Sequence, residues 1–328
     1  MRAIIAIPCI ALLLLRAYTR QSLTPVGILS AGLTASIHAL HPSPLPFFLL
    51  GVFFLLGTWA TKVKHDIKAT LTQSSSGSSA GEGPRTSIQV FANSGVATAL
   101  VLLHIYLYGL SSTTTSSSSN SPQWCFGGGG GGGDNNGNKW ADLILLGVMA
   151  NYAAVAADTL SSELGILSKS KPVLITTLRT VPPGSNGGVT LAGLLAGVGG
   201  GAAIALTSLF LLPFCAEHNS VTHLQTFVLL TVLGTAGTLL DSLLGAVLQA
   251  SVIDRRTGKI VEGPGGVKVL TKPGQTQSRQ GPNGESTDGH ESRVINSGND
   301  ILDNNQINFL MASIMSVSGM VAGSLMLS

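Results

Sequence analysis

The residues of this chain that could do chemistry are few, and they stand in apolar surroundings. The run "WADLILLGVMANYAAVAADTLSSELG" is apolar from Trp140 onwards, yet it carries Asp158 and Glu163 into its last turns. A second run, "GTLLDSLLGAVLQ", places Asp241 well inside another apolar stretch. Ionisable groups are expensive at membrane depth, so they usually face a bundle interior or a watery cavity. Three carboxylates held this way could ligate a hard cation. Asp158, Glu163 and Asp241 are therefore both the candidate catalytic residues and the candidate metal ligands.

Helix geometry limits how they combine. On an ideal helix Asp158 shares a face with Asn151, Ser161 and Ser162, whereas Glu163 points about 140° away. Both carboxylates could meet one ion only if the helix ends or bends near Ser162, which Gly165 makes plausible. The bland alternative is that Glu163 is an interfacial charge at a helix end.

Other polar groups occur at the starts of further apolar runs. "IQVFANSGV" offers Asn93, and "ILDNNQINFL" offers Asn304, Asn305 and Asn308, with Asp303 readable as a helix cap. The segment "RTVPPGSNGGV" supplies a cation, Arg179, then Gly184, Gly187 and Gly188 ahead of another apolar run. Glycines permit close backbone approach, and a helix N-terminus favours an anion, although a plain turn would look the same. "TWATKVKHDIK" adds Lys62, Lys64 and Lys68, of which Lys62 is the candidate contact. Carboxylates, amides, a glycine loop and lysines together suit Mg²⁺ with phosphate, because Mg²⁺ prefers few carboxylates alongside water and substrate oxygens. The candidate substrate-binding set is thus Lys62, Asn93, Arg179, Gly184, Gly187, Gly188, Asn304, Asn305 and Asn308.

The elements that position these residues follow from composition. The 328 residues are 45% hydrophobic and only 10% charged, with mean hydropathy +0.42, which is too apolar for an ordinary soluble domain. Runs able to cross a bilayer occur at about 3–18, 25–41, 44–61, 88–110, 141–165, 188–213, 222–253 and 306–327. The expected fold is an all-α, polytopic transmembrane helical bundle of about eight spans, six to eight being possible, in a single membrane domain. The first run has the length of a signal-peptide core. However, more basic charge follows it than precedes it, and no good cleavage site is present, so a retained span is expected.

Charge sets the orientation. With eight spans, one set of loops carries 16 of the 18 basic residues, leaving Arg2 and Lys139 on the other side. Basic loops stay cytosolic during insertion, so both termini are expected to be lumenal or extracellular. The segments 73–84 and 111–138 are Ser/Gly-rich and read as flexible loops, and 254–305 as a long cytosolic loop. The seven-glycine run is not a phosphate loop, for it lacks a lysine and a flanking strand and helix. Of the three cysteines, Cys125 and Cys215 fall on the same outer side, so a disulfide between them is possible.

The chain resembles the transmembrane protein 19 family of integral membrane proteins. The matching pieces are "SLTPVGILSAGL", "ATKVKHDIK", "RTSIQVFANSGV", "ADTLSSELGILSKSKPVLITTLRTVPPGSNGGVTLAG", "GTLLDSLLGAVLQ" and "ILDNNQINF", in family order over roughly residues 22–325. Ser94 stands where relatives often have glycine, and the 254–305 loop is expanded. The family includes a chloroplast phytyl-phosphate kinase. The resemblance therefore implies a membrane-embedded kinase acting on an isoprenyl monophosphate, with a nucleoside triphosphate as donor. A looser likeness to polyprenol and phytol kinases names CTP. Nothing resembles a plastid transit peptide, so the expected location is the endoplasmic reticulum or another endomembrane. The bilayer and the two phosphate substrates are the expected partners, with no nucleic acid. A transporter using Asp158 and Asp241 as ion or proton sites is the main competitor, and a non-catalytic membrane protein the third.

Overall fold

The structure is a computed structural model that describes residues 3–75, 83–109, 125–127, 135–215, 220–269 and 293–326. Nine α-helices occur among them: α1 Ala3–Thr19, α2 Pro25–Leu40, α3 Leu45–Lys62, α4 His65–Leu71, α5 Ser87–His104, α6 Asn135–Gly165, α7 Leu191–Leu211, α8 Ser220–Leu248 and α9 Asn304–Met326. Six of these (α3, α5, α6, α7, α8 and α9) are long and apolar enough to cross a membrane. The 17 residues of α1 and the 16 of α2 form shorter apolar helices. The chain is an all-α polytopic bundle, with elements where the apolar runs predict them.

The bundle is organised around α6. In its most apolar stretch 89% of residues are buried, against 28–44% in the corresponding stretches of the other five long helices. A helix that is apolar all round belongs in the centre, and α6 packs against α3, α5, α7, α8 and α9. Its alanines let neighbours come close. A Cβ on Gly200 would lie 2.7 Å from the Ala156 carbonyl oxygen, and one on Gly234 would lie 3.0 Å from that of Ala153. The same explanation covers Gly193 and Gly197 of α7. Added Cβ atoms there would lie 2.9 Å from Ser161 O and 3.2 Å from Thr238 Cγ2. Small residues at helix contacts allow this close packing in membranes.

Helix starts follow local chemistry. Thr24 caps α2 by accepting from Gly27 N, and Pro25 supplies the preset first position. Thr86 and Gln89 form a reciprocal capping box at α5. Thr190 caps α7 through Gly193 N at 3.0 Å and also donates to Gly165 O at 3.3 Å, joining the end of α6 to the start of α7.

A small sheet at one end of the bundle was not expected from the sequence. Strands β4 (Ser251–Asp254), β5 (Lys259–Glu262) and β6 (Arg293–Ser297) join β1 (Gln73–Ser74) in the order β1-β5-β4-β6. The β4–β5 hairpin turns through Gly258 at φ +67°, with Arg256 N donating to Asp254 Oδ1 at 2.9 Å. Residues 254–305, read as one long loop, thus contribute strands, while 270–292 lie outside the described residues. The valines and isoleucines of β4, β5 and β6 suit a half-buried pleated surface. Of the two stretches read as flexible, 76–82, 111–124 and 128–134 also lie outside the described residues, and Asn135–Asn138 begin α6. Strands β2 (Val173–Leu174) and β3 (Gly188–Val189) form a separate antiparallel pair.

At the opposite end of the bundle, Cys125 and Cys215 form a disulfide. Phe126 N donates to Pro213 O at 2.7 Å beside it, and Gly127 N donates to Asp142 Oδ2 at 2.9 Å. These contacts pin the segment before α6 to the end of α7.

Candidate functional site

Where the ends of α3, α6 and α8 meet the starts of α5, α7 and α9, the bundle encloses a polar cavity of about 680 Å³. The sheet and the 182–190 loop supply further wall. Nine of the twelve sequence-nominated residues line it: Asp158, Glu163, Asp241, Asn93, Gly184, Gly187, Gly188, Asn304 and Asn308.

Its deepest chemistry is a pair of carboxylates. Asp158 of α6 and Asp241 of α8 both line the cavity. Thr238, one turn before Asp241, donates to Asp158 Oδ1 at 3.4 Å. Asn308 of α9 completes the group. With its amide turned so that nitrogen faces the carboxylate, it donates to Asp241 Oδ1 at 3.0 Å and to Asn304 O at 3.3 Å. Four side chains from three helices converge here, and all present oxygen or amide. Among the described residues no cluster of three or more His, Cys, Asp or Glu could cage a metal. Two carboxylates, oriented by an amide and a hydroxyl, are hard donors that would suit Mg²⁺ held jointly with substrate oxygens and disfavour zinc.

Glu163 belongs to a different part of the wall. The helix continues unbroken to Gly165, so the bend that would have turned Glu163 toward Asp158 does not occur. Instead Glu163 Oε2 accepts from Lys68 Nζ at 2.6 Å, and Oε1 accepts from Thr61 Oγ1 at 2.7 Å. Lys68 Nζ also donates to Ala60 O at 2.7 Å, so α4 is fastened across the end of α3. Arg85 Nη2 donates to Thr61 Oγ1 at 3.1 Å and extends this chain toward α5. Glu163 thus orients cations, whereas the candidate metal donors are Asp158 and Asp241.

Three nominated residues lie away from the cavity wall. Lys62 is exposed, and its electrostatic neighbours are Arg16 and Arg20. Arg179 is exposed in the turn after β2, where its carbonyl accepts from Leu174 N at 2.8 Å. Asn305 is buried and donates through Nδ2 to Gly265 O at 2.9 Å, holding a neighbouring turn. The cations that do line the cavity are Lys68, Arg85 and Lys268. Lys268 donates to Asp300 O and Ile301 O, each at 2.9 Å, and so is tied to the chain just before α9.

The glycine loop is committed to packing. Gly188 N donates to Ser185 O at 2.9 Å, and Gly187 O accepts from Ile175 N at 3.0 Å. A Cβ on Gly187 (φ +75°) would collide with the Ala246 side chain and lie 2.6 Å from Ser242 O. Asn186 anchors the loop to β4 through Ser251 Oγ at 2.9 Å and Ala250 O at 3.0 Å. A second glycine turn, Gly263–Gly266, lines the cavity beside Asn304, and the sequence reading passed over it. Its signal was "EGPGGVK", a turn pattern followed by a lysine.

The match to a family model runs over residues 8–316, under the description integral membrane protein DUF92. The chain belongs to this family. It is 32% identical over 313 residues to Protein PGR of Arabidopsis thaliana, covering 94% of this chain and 92% of that protein. It is 26% identical over 176 residues to Protein VTE6, chloroplastic, of the same plant, covering 54% and 44%. An uncharacterized membrane protein of Methanocaldococcus jannaschii is 41% identical over 113 residues, covering 34% and 42%. No solved structure matches. The family match contains all of α3, α5, α6, α7 and α8 and the first half of α9, including the α9 residues that line the cavity.

Proposed function

We propose that the protein is a membrane-embedded phosphotransferase that extends an isoprenoid lipid monophosphate with a phosphoryl group from a nucleoside triphosphate, CTP being the first donor to test. The observation that carries this reading is the Asp158–Asp241 pair at the base of a polar cavity whose wall holds Lys68, Arg85 and Lys268. Acidic donors for a cation and basic groups for phosphates share one chamber at one end of the apolar helices. The family resemblance to a phytyl-phosphate kinase supports the same chemistry.

In this reading Asp158 and Asp241 would hold Mg²⁺, which when bound shields donor phosphates and favours phosphoryl transfer. Thr238 and Asn308 orient the two carboxylates. Arg85 meets the acceptor phosphate, with Thr61 fixing its position, while Lys68, its donors given to Glu163, Ala60 and Thr61, holds the wall beside it. A monophosphate acceptor is already anionic, so the site needs positioning and charge stabilisation more than a strong base. The cavity lies at the end flanked by basic loops, so we place it on the nucleotide-containing face with both termini opposite. A relative named as chloroplastic favours a plastid over the endoplasmic reticulum expected from sequence.

The test is direct. Purified protein is given radiolabelled CTP or ATP with a series of prenyl monophosphates. Label should enter a lipid diphosphate and be lost on chelation of Mg²⁺. Asp158→Asn and Asp241→Asn should each lower the rate on the order of 10²-fold or more, as expected when groups that stabilise developing charge are removed. Solute or proton movement across liposomes by a protein that phosphorylates none of these lipids would favour the transporter.

A further inference from the structure

Beside the polar cavity lies a second, almost wholly apolar slot of about 70 Å³ between α1, α2, α3 and α5. The two share Arg85, Gln89 and Asn93 as a common wall. We propose that this slot receives the phosphate-proximal segment of the apolar chain of an anionic amphiphile, with Arg85 meeting the phosphate at the junction. This deepens the function proposed above and rests on it for the identity of the head group.

Several features select this occupant. The polar side chains within the slot are turned back on their own helices. Thr34 Oγ1 donates to Ser30 O at 3.0 Å, and Ser94 Oγ donates to Val90 O at 2.8 Å. The wall that remains, formed by residues such as Leu14, Leu50 and Phe54, is apolar. Arg85 is fixed at the mouth by its backbone, since its N–H donates to Ser22 O and its carbonyl accepts from Thr24 N, both at 3.0 Å. Its contact with Thr61 uses one of five guanidinium N–H donors, which leaves the fork suited to a phosphate. A greasy slot ending at a fixed cation matches an amphiphile with an anionic head.

Size then predicts specificity. The slot has about half the volume of the ~150 Å³ apolar cavity that holds a benzene, so it takes one extended segment and no coiled tail. The rest of the chain lies in the bilayer. Recognition should therefore depend on the shape of the chain next to the phosphate and tolerate wide variation in total length.

Gly51 supplies the test, because it lines the slot and a Cβ there has nothing within 4 Å. Gly51→Phe adds a ring at the slot wall from a Cβ that meets nothing within 4 Å, and Gly51→Val is a smaller second variant. The probe is a long-chain alkyl monophosphate with a diazirine in its phosphate-proximal segment, photolysed with the full-length protein in nanodiscs. Adducts should map to Leu14, Leu50 or Phe54. Unlabelled monophosphate should compete, and the neutral alcohol should not. Labelling should fall roughly tenfold in Gly51→Phe, the scale of losing about two buried methylenes, and also fall in Arg85→Gln. Adducts spread over lipid-facing helices and unchanged by Gly51→Phe would overturn the proposal. Because the readout is binding, the two readings separate. Correct labelling without phosphoryl transfer sinks the kinase and leaves the slot, whereas transfer with labelling elsewhere sinks the slot alone.

Discussion

Lys68 Nζ lies 2.6 Å from Glu163 Oε2, an ion pair that locks α4 against the end of α6 although 95 residues separate the partners. The two side chains are only 11% and 12% exposed. Removing either partner leaves a largely buried charge uncompensated, at a cost of up to about 3–5 kcal/mol. Glu163→Gln and Lys68→Met should each lower the thermal midpoint in detergent, and the double variant should recover part of the loss. Additive effects in the double-mutant cycle would show that the pair contributes nothing as a pair.

The Asp158–Asp241 pair should show the opposite balance between stability and activity. Two carboxylates facing one cavity repel, and an amide costs less to keep there than a second charge. In the absence of Mg²⁺, Asp158→Asn or Asp241→Asn should leave thermal stability unchanged or raised, while nucleotide-dependent activity is lost. Adding Mg²⁺ should raise the midpoint of the native protein more than that of either variant, because a ligand stabilises only the state that binds it. An equal Mg²⁺ effect on all three proteins would place the cation elsewhere.

Gly187 is held at φ +75° against Ala246 and Ser242 of α8. Gly187→Ala should therefore cost more than ~1 kcal/mol of stability through backbone strain and crowding. Expression level and thermal midpoint should drop, with little change in the KM of the protein that survives. A raised KM with normal stability would return the loop to a phosphate-binding role.

The Cys125–Cys215 disulfide closes a segment of 90 residues that contains all of α6. Chain-entropy estimates give about 4–5 kcal/mol for a loop of this length, and membrane anchoring of the enclosed helices lowers that figure. Cys215→Ser should reduce the thermal midpoint and abolish the mobility difference between reduced and non-reduced protein on gels. Cysteines introduced at Lys171 and Arg256 should react with an impermeant maleimide added from the nucleotide-containing face of the membrane and not from the other. Labelling of both from the other face alone would reverse the proposed orientation.

Much of this architecture is legible without coordinates. Hydropathy and charge are local properties, because each helix must satisfy its own backbone in lipid and each basic loop is sorted one at a time. The apolar runs, and the placement of Asp158 and Asp241 within two of them, could be read directly. So could nine members of the cavity wall: six are polar residues in or at the ends of apolar runs, which have few places to face, and three are glycines of the turn before α7.

Partnership among those residues was decided by packing. A helix turns about 100° per residue, so sequence shows that Asp158 and Glu163 diverge but not what each one meets. Close contacts at Gly197, Gly200 and Gly234 set the rotation of α7 and α8 against α6. That rotation brings Asp241 to Asp158 and leaves Glu163 to Lys68. Lys62 and Lys68 are both lysines of one short segment, yet the positive-φ residue Lys64 reverses the chain between them. Only Lys68 enters the cavity, and Lys62 remains outside with Arg16 and Arg20. The sheet was equally hidden, because it pairs β1 at Gln73 with β5 at Val261, across most of the chain. Composition and periodicity determined which residues had to avoid lipid. Helix rotation and long-range pairing determined which of them share a site.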